Sequence, residues 1–237
     1  MATDPDNLKL SREQQQRLDT TPVADRQSQL EALLDQLHFN DSGIHPLGAV
    51  ELIKLHLDIA ALELDLDLKT QAYERARQTI QPCIEHMQFE LAALACQYIY
   101  LCERDDSIAA IGQAAWLAVT YPVDPNLTVA ILDHIIDETP DNSDGAAVAA
   151  AAAHYVVDIR AEGNEHEKLR LFTGAMLARV ARRHSNIDNQ QMFELWVERL
   201  ELDVPDKFLI RLRNVVDVMV QDDWWFDRQA LTNELPA

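Results

Sequence analysis

Leucines at positions 30, 33, 34 and 37 recur at intervals of three and four, the spacing that lines one face of an α-helix. Asn40-Asp41-Ser42-Gly43 then supplies a break. From Pro46 the rhythm resumes through Val50, Ile53 and Leu57, with Leu62 and Leu66 beyond. Leu62-Glu63-Leu64-Asp65-Leu66-Asp67-Leu68 also alternates with period two, as a strand would. Asp fits a pleated surface poorly, so the segment reads as a helix to about Leu64, a turn over 65–67 and a second helix over 68–81. Pro82 is expected to interrupt that helix or to start the next one. Residues 89–102 are apolar on nearly every face and predict a central buried helix.

Asp105-Asp106-Ser107 offers an N-cap for a helix over 108–121, which Pro122 and Pro125 end. A short helix over 126–138 and a turn-rich loop over 139–145 follow. The run 146–153 is almost entirely alanine, the best helix former and small enough to let two helices approach closely. That helix is expected to reach about Glu162 and to stop at Gly163-Asn164 in a left-handed turn. Helices over 165–184, 189–200 and 205–220 complete the series. Residues 1–21 are polar and read as a tail, with Thr21-Pro22 opening the ordered part.

Composition supports this reading. Only six glycines occur in 237 residues, too few for the turns a sheet protein needs. Roughly ten helices on short polar links predict an all-α fold of antiparallel helical hairpins, either an irregular bundle or a short α-solenoid. The expected organisation is a polar tail over 1–21, one helical domain over 22–220 and an aromatic C-terminal segment over 221–237.

Charge narrows the partners. The formal net charge is −20, from 40 acidic and 20 basic residues. Such a surface repels phosphate backbones and anionic lipid, so neither nucleic acid nor membrane is expected as a partner. No apolar run is long enough for a membrane span, and Met1 to Lys9 has no basic stretch leading into an apolar one. Cys83, Cys96 and Cys102 lack paired spacing and fit small buried hydrophobes in a reducing, bacterial-type cytoplasm. The acid excess also suits a salty interior, where ions screen it.

Chemistry is sparsely signalled. Acid–histidine pairs at helical spacing occur around His86, His134, His154 and His184, only mildly more often than the composition implies, and no Glu-x-x-His motif exists. Gly-x-Ser-x-Gly and a phosphate-cradling glycine loop are absent. No catalytic, cofactor-binding or metal-ligating residue is therefore nominated, and no cofactor is expected. Arg179, Arg182 and Arg183 share one helix; they can hold an anion or pair with the acids around them.

One hairpin resembles a tetratricopeptide repeat. Gly163-Asn164 fills the turn, Phe172 the aromatic position and Ala175 the small position after it, over about 30 residues. Lys168 and Val156 depart from the family, which places Ala and Gly there. Asp105-Asp106, Ala110 and Pro122 give a fainter echo. The resemblance implies a curved stack of hairpins with a groove for a partner peptide.

Two further features point to partners. No Lys or Arg occurs between Asp105 and Ile159, and this stretch holds Asp133, Asp137, Glu138, Asp141 and Asp144, a region that would draw a basic protein. Trp224-Trp225-Phe226, flanked by Asp222, Asp223 and Asp227, either folds back over the helices or anchors another protein, a second copy included. The function expected is a non-enzymatic interaction or adaptor protein; the alternative is an all-helical enzyme or metal protein built on the histidine–acid pairs.

Overall fold

The computed structural model describes residues 23–233. The expected tail over 1–21 and the Thr21-Pro22 start lie outside them. The described residues form eleven helices and no strand, so the fold is all-α. They are α1 (Val23–Asp41), α2 (Ala49–Asp65), α3 (Lys69–Glu85), α4 (Phe89–Leu101), α5 (Ser107–Thr120), α6 (Pro125–Glu138), α7 (Asp144–Arg160), α8 (Gly163–Ser185), α9 (Gln190–Arg199), α10 (Pro205–Val220) and α11 (Arg228–Asn233). They group into two compact units. One takes residues 23–117 and 220–233, the other residues 118–219.

In the first unit each helix from α1 to α3 packs on its successor, and α2 also meets α4. Short links, of three residues between α2 and α3 and between α3 and α4, make these pairs antiparallel. Leu30, Leu33 and Leu37 of α1 bury themselves against Leu55, Ile59 and Leu62 of α2. Small side chains then line the inside: Ala72 and Ala76 on α3, Ala92, Ala93 and Ala95 on α4, with no exposed surface at any of them. Glu63 of α2 is buried and receives two hydrogen bonds from Arg75 of α3, Nε–Oε2 at 3.0 Å and Nη2–Oε1 at 2.8 Å. A fork of this kind compensates charges that burial would otherwise penalise heavily.

The helix ends depart from the glycine rule. Asp67, Met87 and Glu103, after α2, α3 and α4, all take left-handed backbone with φ of 58°, 55° and 56°. The residues that follow two of them close the helix: the Leu68 N–H reaches the Glu63 carbonyl at 2.7 Å, and Gln88 reaches Cys83 at 2.8 Å. These bonds satisfy carbonyls a helix end leaves open, which offsets the roughly 1–2 kcal/mol that left-handed backbone costs a side-chain-bearing residue. Gly163 does not play the expected stopping role. Although φ is 54° there, it is the first residue of α8; α7 ends earlier, at Arg160, on an extended Ala161-Glu162 link. Pro82 neither breaks α3 nor starts a new helix. It lies in the last turn of α3, where its missing N–H removes one bond and the His86 N–H still reaches the Pro82 carbonyl at 3.1 Å.

The second unit is built around α7, which packs against α6 on one side and α8 on the other. Every residue from Gly145 to Ala153 is buried. Asp124 caps α6, accepting from the Asn126 and Leu127 N–H groups at 2.8 and 3.1 Å. Ser143 and Asn189 cap α7 and α9 in the same way. At the far end of α7, the Arg160 guanidinium donates to the carbonyls of Ala118, Val119 and Val123 at 2.7, 2.9 and 3.2 Å. No helix of the described residues is long and apolar enough to cross a membrane.

Candidate functional site

The aromatic triplet lies in the first unit, folded onto α5. Phe226 is buried, while Trp224 and Trp225 are partly exposed. Trp116 of α5 is the platform. Its ring centroid stands 5.9 Å from that of Trp224, nearly edge-on at 80°, and 5.7 Å from that of Phe226. Trp224 and Phe226 also meet, at 5.7 Å and 70°. Tilted and edge-on geometries of this kind are the ones ring quadrupoles favour. The Arg228 guanidinium lies 4.7 Å from the Trp224 centroid, and Arg77 of α3 lies 4.3 Å from that of Trp225, both within cation–π range.

A single amide organises the backbone there. Gln113 of α5 has no exposed surface. Its Oε1 accepts the Trp225 N–H at 2.8 Å, and its Nε2 donates to the Asp223 carbonyl at 3.2 Å and to the Ala109 carbonyl at 3.3 Å. The side chain thus brackets Trp224 by gripping the main chain on both sides of it. Gln113, Trp116, Arg77 and Arg228 were not singled out from the sequence. Gln113 did leave a signal, since it is the one long polar side chain in the apolar run from Ile108 to Val119.

The five nominated acids lie at the other unit's α6–α7 corner, and they do not share one role. Asp133 is buried and paired with Arg179 of α8. Asp141 forms an ion pair with Arg183, its Oδ1 3.3 Å from Nε, while Arg183 Nη2 donates to the Ile136 and Thr139 carbonyls at 3.0 and 3.3 Å. Asp144 receives Arg211 Nη2 at 2.9 Å and His184 Nε2 at 3.1 Å. Asp137 and Glu138 are exposed at the end of α6. Arginines from α8 and α10 therefore meet Asp133, Asp141 and Asp144 and reduce the negative charge offered outward. They also tie α8 and α10 to the corner.

The histidines are engaged locally. Thr173 Oγ1 donates to the Leu169 carbonyl at 2.9 Å and lies 2.8 Å from His154 Nδ1, so it accepts from an Nδ1–H. Burial pulls the His154 pKa below 6.5, and Arg170 and His166 add to the effect against Asp158. His184 Nδ1 accepts the Trp196 indole N–H at 3.2 Å. His86 Nδ1 faces the Pro82 carbonyl at 3.0 Å, and His134 is buried on α6. Among the described residues no three His, Cys, Asp or Glu gather in a group that could hold a metal. Burial pushes the thiols of Cys83 and Cys102 up to about 12 and about 11, and raises Cys96 further.

One hollow of about 320 Å³ opens near the end of α1, lined by Asp35, Phe39, His45 and Leu47 among others. Comparison of the chain with protein-family models, with curated proteins and with solved structures finds no match.

Proposed function

We propose that the chain is a non-enzymatic interaction protein, an adaptor whose acidic helical surface receives a protein partner of complementary basic charge. One observation carries the reading. The short helix α9 turns Phe193, Trp196 and Val197 inward and leaves Met192 and Leu195 roughly half exposed, at 47% and 52%. By helical spacing Arg199 falls between them and Glu198 beside Leu195, and both are exposed. An apolar pair rimmed by charged side chains matches the anatomy of a protein interface, apolar at the centre and polar around it. The overall charge of −20 would steer a basic partner towards such a face and speed its arrival more than it tightens the final complex. Asp137 and Glu138 add exposed charge of the same sign. A reducing cytoplasm is the compartment this reading implies, in keeping with three buried cysteines.

The test is capture from the native cell at low and high salt, with the recovered partner then measured against variants. Met192→Glu with Leu195→Glu is expected to weaken binding at least tenfold. Asp137→Asn with Glu138→Gln is expected to slow association and flatten its salt dependence. Binding that ignores salt and all four substitutions would defeat the proposal.

A further inference from the structure

We propose that the surface of α5 around Gln113 and Trp116 is a peptide-docking site, that residues 223–226 are its resident ligand, and that the same segment of a second copy exchanges into it. The inference deepens the interaction reading by naming one partner. Its test uses the purified chain alone, so it fails or succeeds independently of any basic partner.

The recognition has the form of a site reading a ligand. The Gln113 amide bonds the carbonyl of Asp223 and the N–H of Trp225, which are main-chain groups, at 3.2 and 2.8 Å. Main-chain bonds supply affinity whatever the side chains, and pockets or platforms supply selectivity. Here the platform is Trp116, and the selective groups are the rings of Trp224 and Phe226. The amide is fixed beforehand by its third bond, to the Ala109 carbonyl one turn earlier on its own helix. It needs no rearrangement to receive the segment.

The ligand is separable from its receptor. Residues 220–233 return to the first unit after residues 118–219 have gone to the second. The return begins at Gln221, whose φ is 51°, followed by exposed Asp222 and Asp223. A left-handed residue at a helix end is a place where the backbone can take another direction. None of the ring contacts or amide bonds depends on the segment belonging to the same chain. The bound state with a second copy therefore has the same local contacts, and the balance is set by effective concentration against protein concentration. Two chains of −20 repel, so raising salt favours exchange. Binding of a basic protein responds in the opposite direction.

Two full-length variants test this. Gln113→Glu loses the donor to the Asp223 carbonyl and keeps the segment; Trp224→Ala with Phe226→Ala keeps the receptor and loses the ligand. Each alone should stay monomeric by light scattering. Their mixture should give a one-to-one dimer whose fraction rises with concentration and salt. A mixture that stays monomeric at several hundred micromolar, with both variants helical by circular dichroism, overturns the proposal. If either variant fails to fold, wild-type chains bearing two different tags serve instead. They should co-purify after joint incubation, and excess synthetic peptide of residues 220–233 should lower the yield about tenfold. No co-purification, or co-purification indifferent to the peptide, overturns it equally.

Discussion

Replacing glycine by alanine at three positions should give three outcomes, and the structure decides each sign. At Gly145 an added Cβ would stand 2.9 Å from Thr139 Cγ2 and 3.3 Å from both Ser143 Oγ and Val215 Cγ2. Carbon atoms prefer about 3.5–4.0 Å. Thr139 cannot turn away freely, because its hydroxyl bonds the Ile135 carbonyl and its β-branched side chain is stiff. Overpacking of this kind costs about 1–3 kcal/mol. The helix-propensity gain from Gly to Ala is at most about 1 kcal/mol in a helix interior, and less at this second residue of α7. The net is a loss of about 1–2 kcal/mol, a fall in melting temperature of about 2–8 °C for a chain of this size. At Gly174, in the middle of α8, an added Cβ meets nothing within 4 Å. Alanine should stabilise there by about 0.5–1 kcal/mol. At Gly163 the space is equally open but φ is 54°, so alanine should cost about 1 kcal/mol through backbone strain alone. Urea unfolding followed by circular dichroism measures all three. If Gly145→Ala proves as stable as Gly174→Ala, the packing argument for α7 is wrong.

Arg160→Met should cost about 2–4 kcal/mol in the same assay, since it removes a charged donor shared by three carbonyls. Stability should fall as pH drops below about 6.5. His154 binds a proton more weakly when folded than when unfolded, so the unfolded chain gains protons first; the fall stops once the folded imidazole is also charged. His154→Gln should flatten that part of the pH profile. The three cysteines should resist a disulfide reagent at pH 8 in the native protein, being buried and protonated, and react fully in denaturant; fast native labelling would contradict their burial.

Helix positions were legible because they depend on local pattern. The leucine spacing of α1 and the apolar run of α4 each state their structure within a few residues. The alternating Leu62–Leu68 segment was resolved correctly by its acids. Helix ends were harder. Left-handed backbone at Asp67 and Met87 goes with a six-residue hydrogen bond that closes the helix, which these residue types do not announce. Gly163 misled for the complementary reason: it has the conformation expected, three residues beyond the true end of α7. Pro82 misled because a proline near a helix end disturbs much less than one at its centre.

The candidate sites depended on distant pairings. Asp133, Asp141 and Asp144 looked like open charge because their partners Arg179, Arg183 and Arg211 lie far along the chain. Gln113 meets its backbone partners across 110 residues or more. The grouping that assigns residue 117 to one unit and 118 to the other falls inside the apolar run 114–119 of one helix, so composition does not mark it.

That grouping has a consequence for synthesis. A ribosome adding about 5–20 residues per second delivers residue 220 some 5–20 s after residue 117. For that interval the first unit exists without the piece that covers Trp116 and occupies the Gln113 amide. Its nascent form therefore passes through a stage in which an indole and a side-chain amide are open to water and to any chaperone that grips such surfaces. Only the arrival of residues 223–226, which follow the last helix of the second unit, ends that stage. The rate at which a polysome emits chain, and not only the sequence it reads, thus sets how long this face stays uncovered.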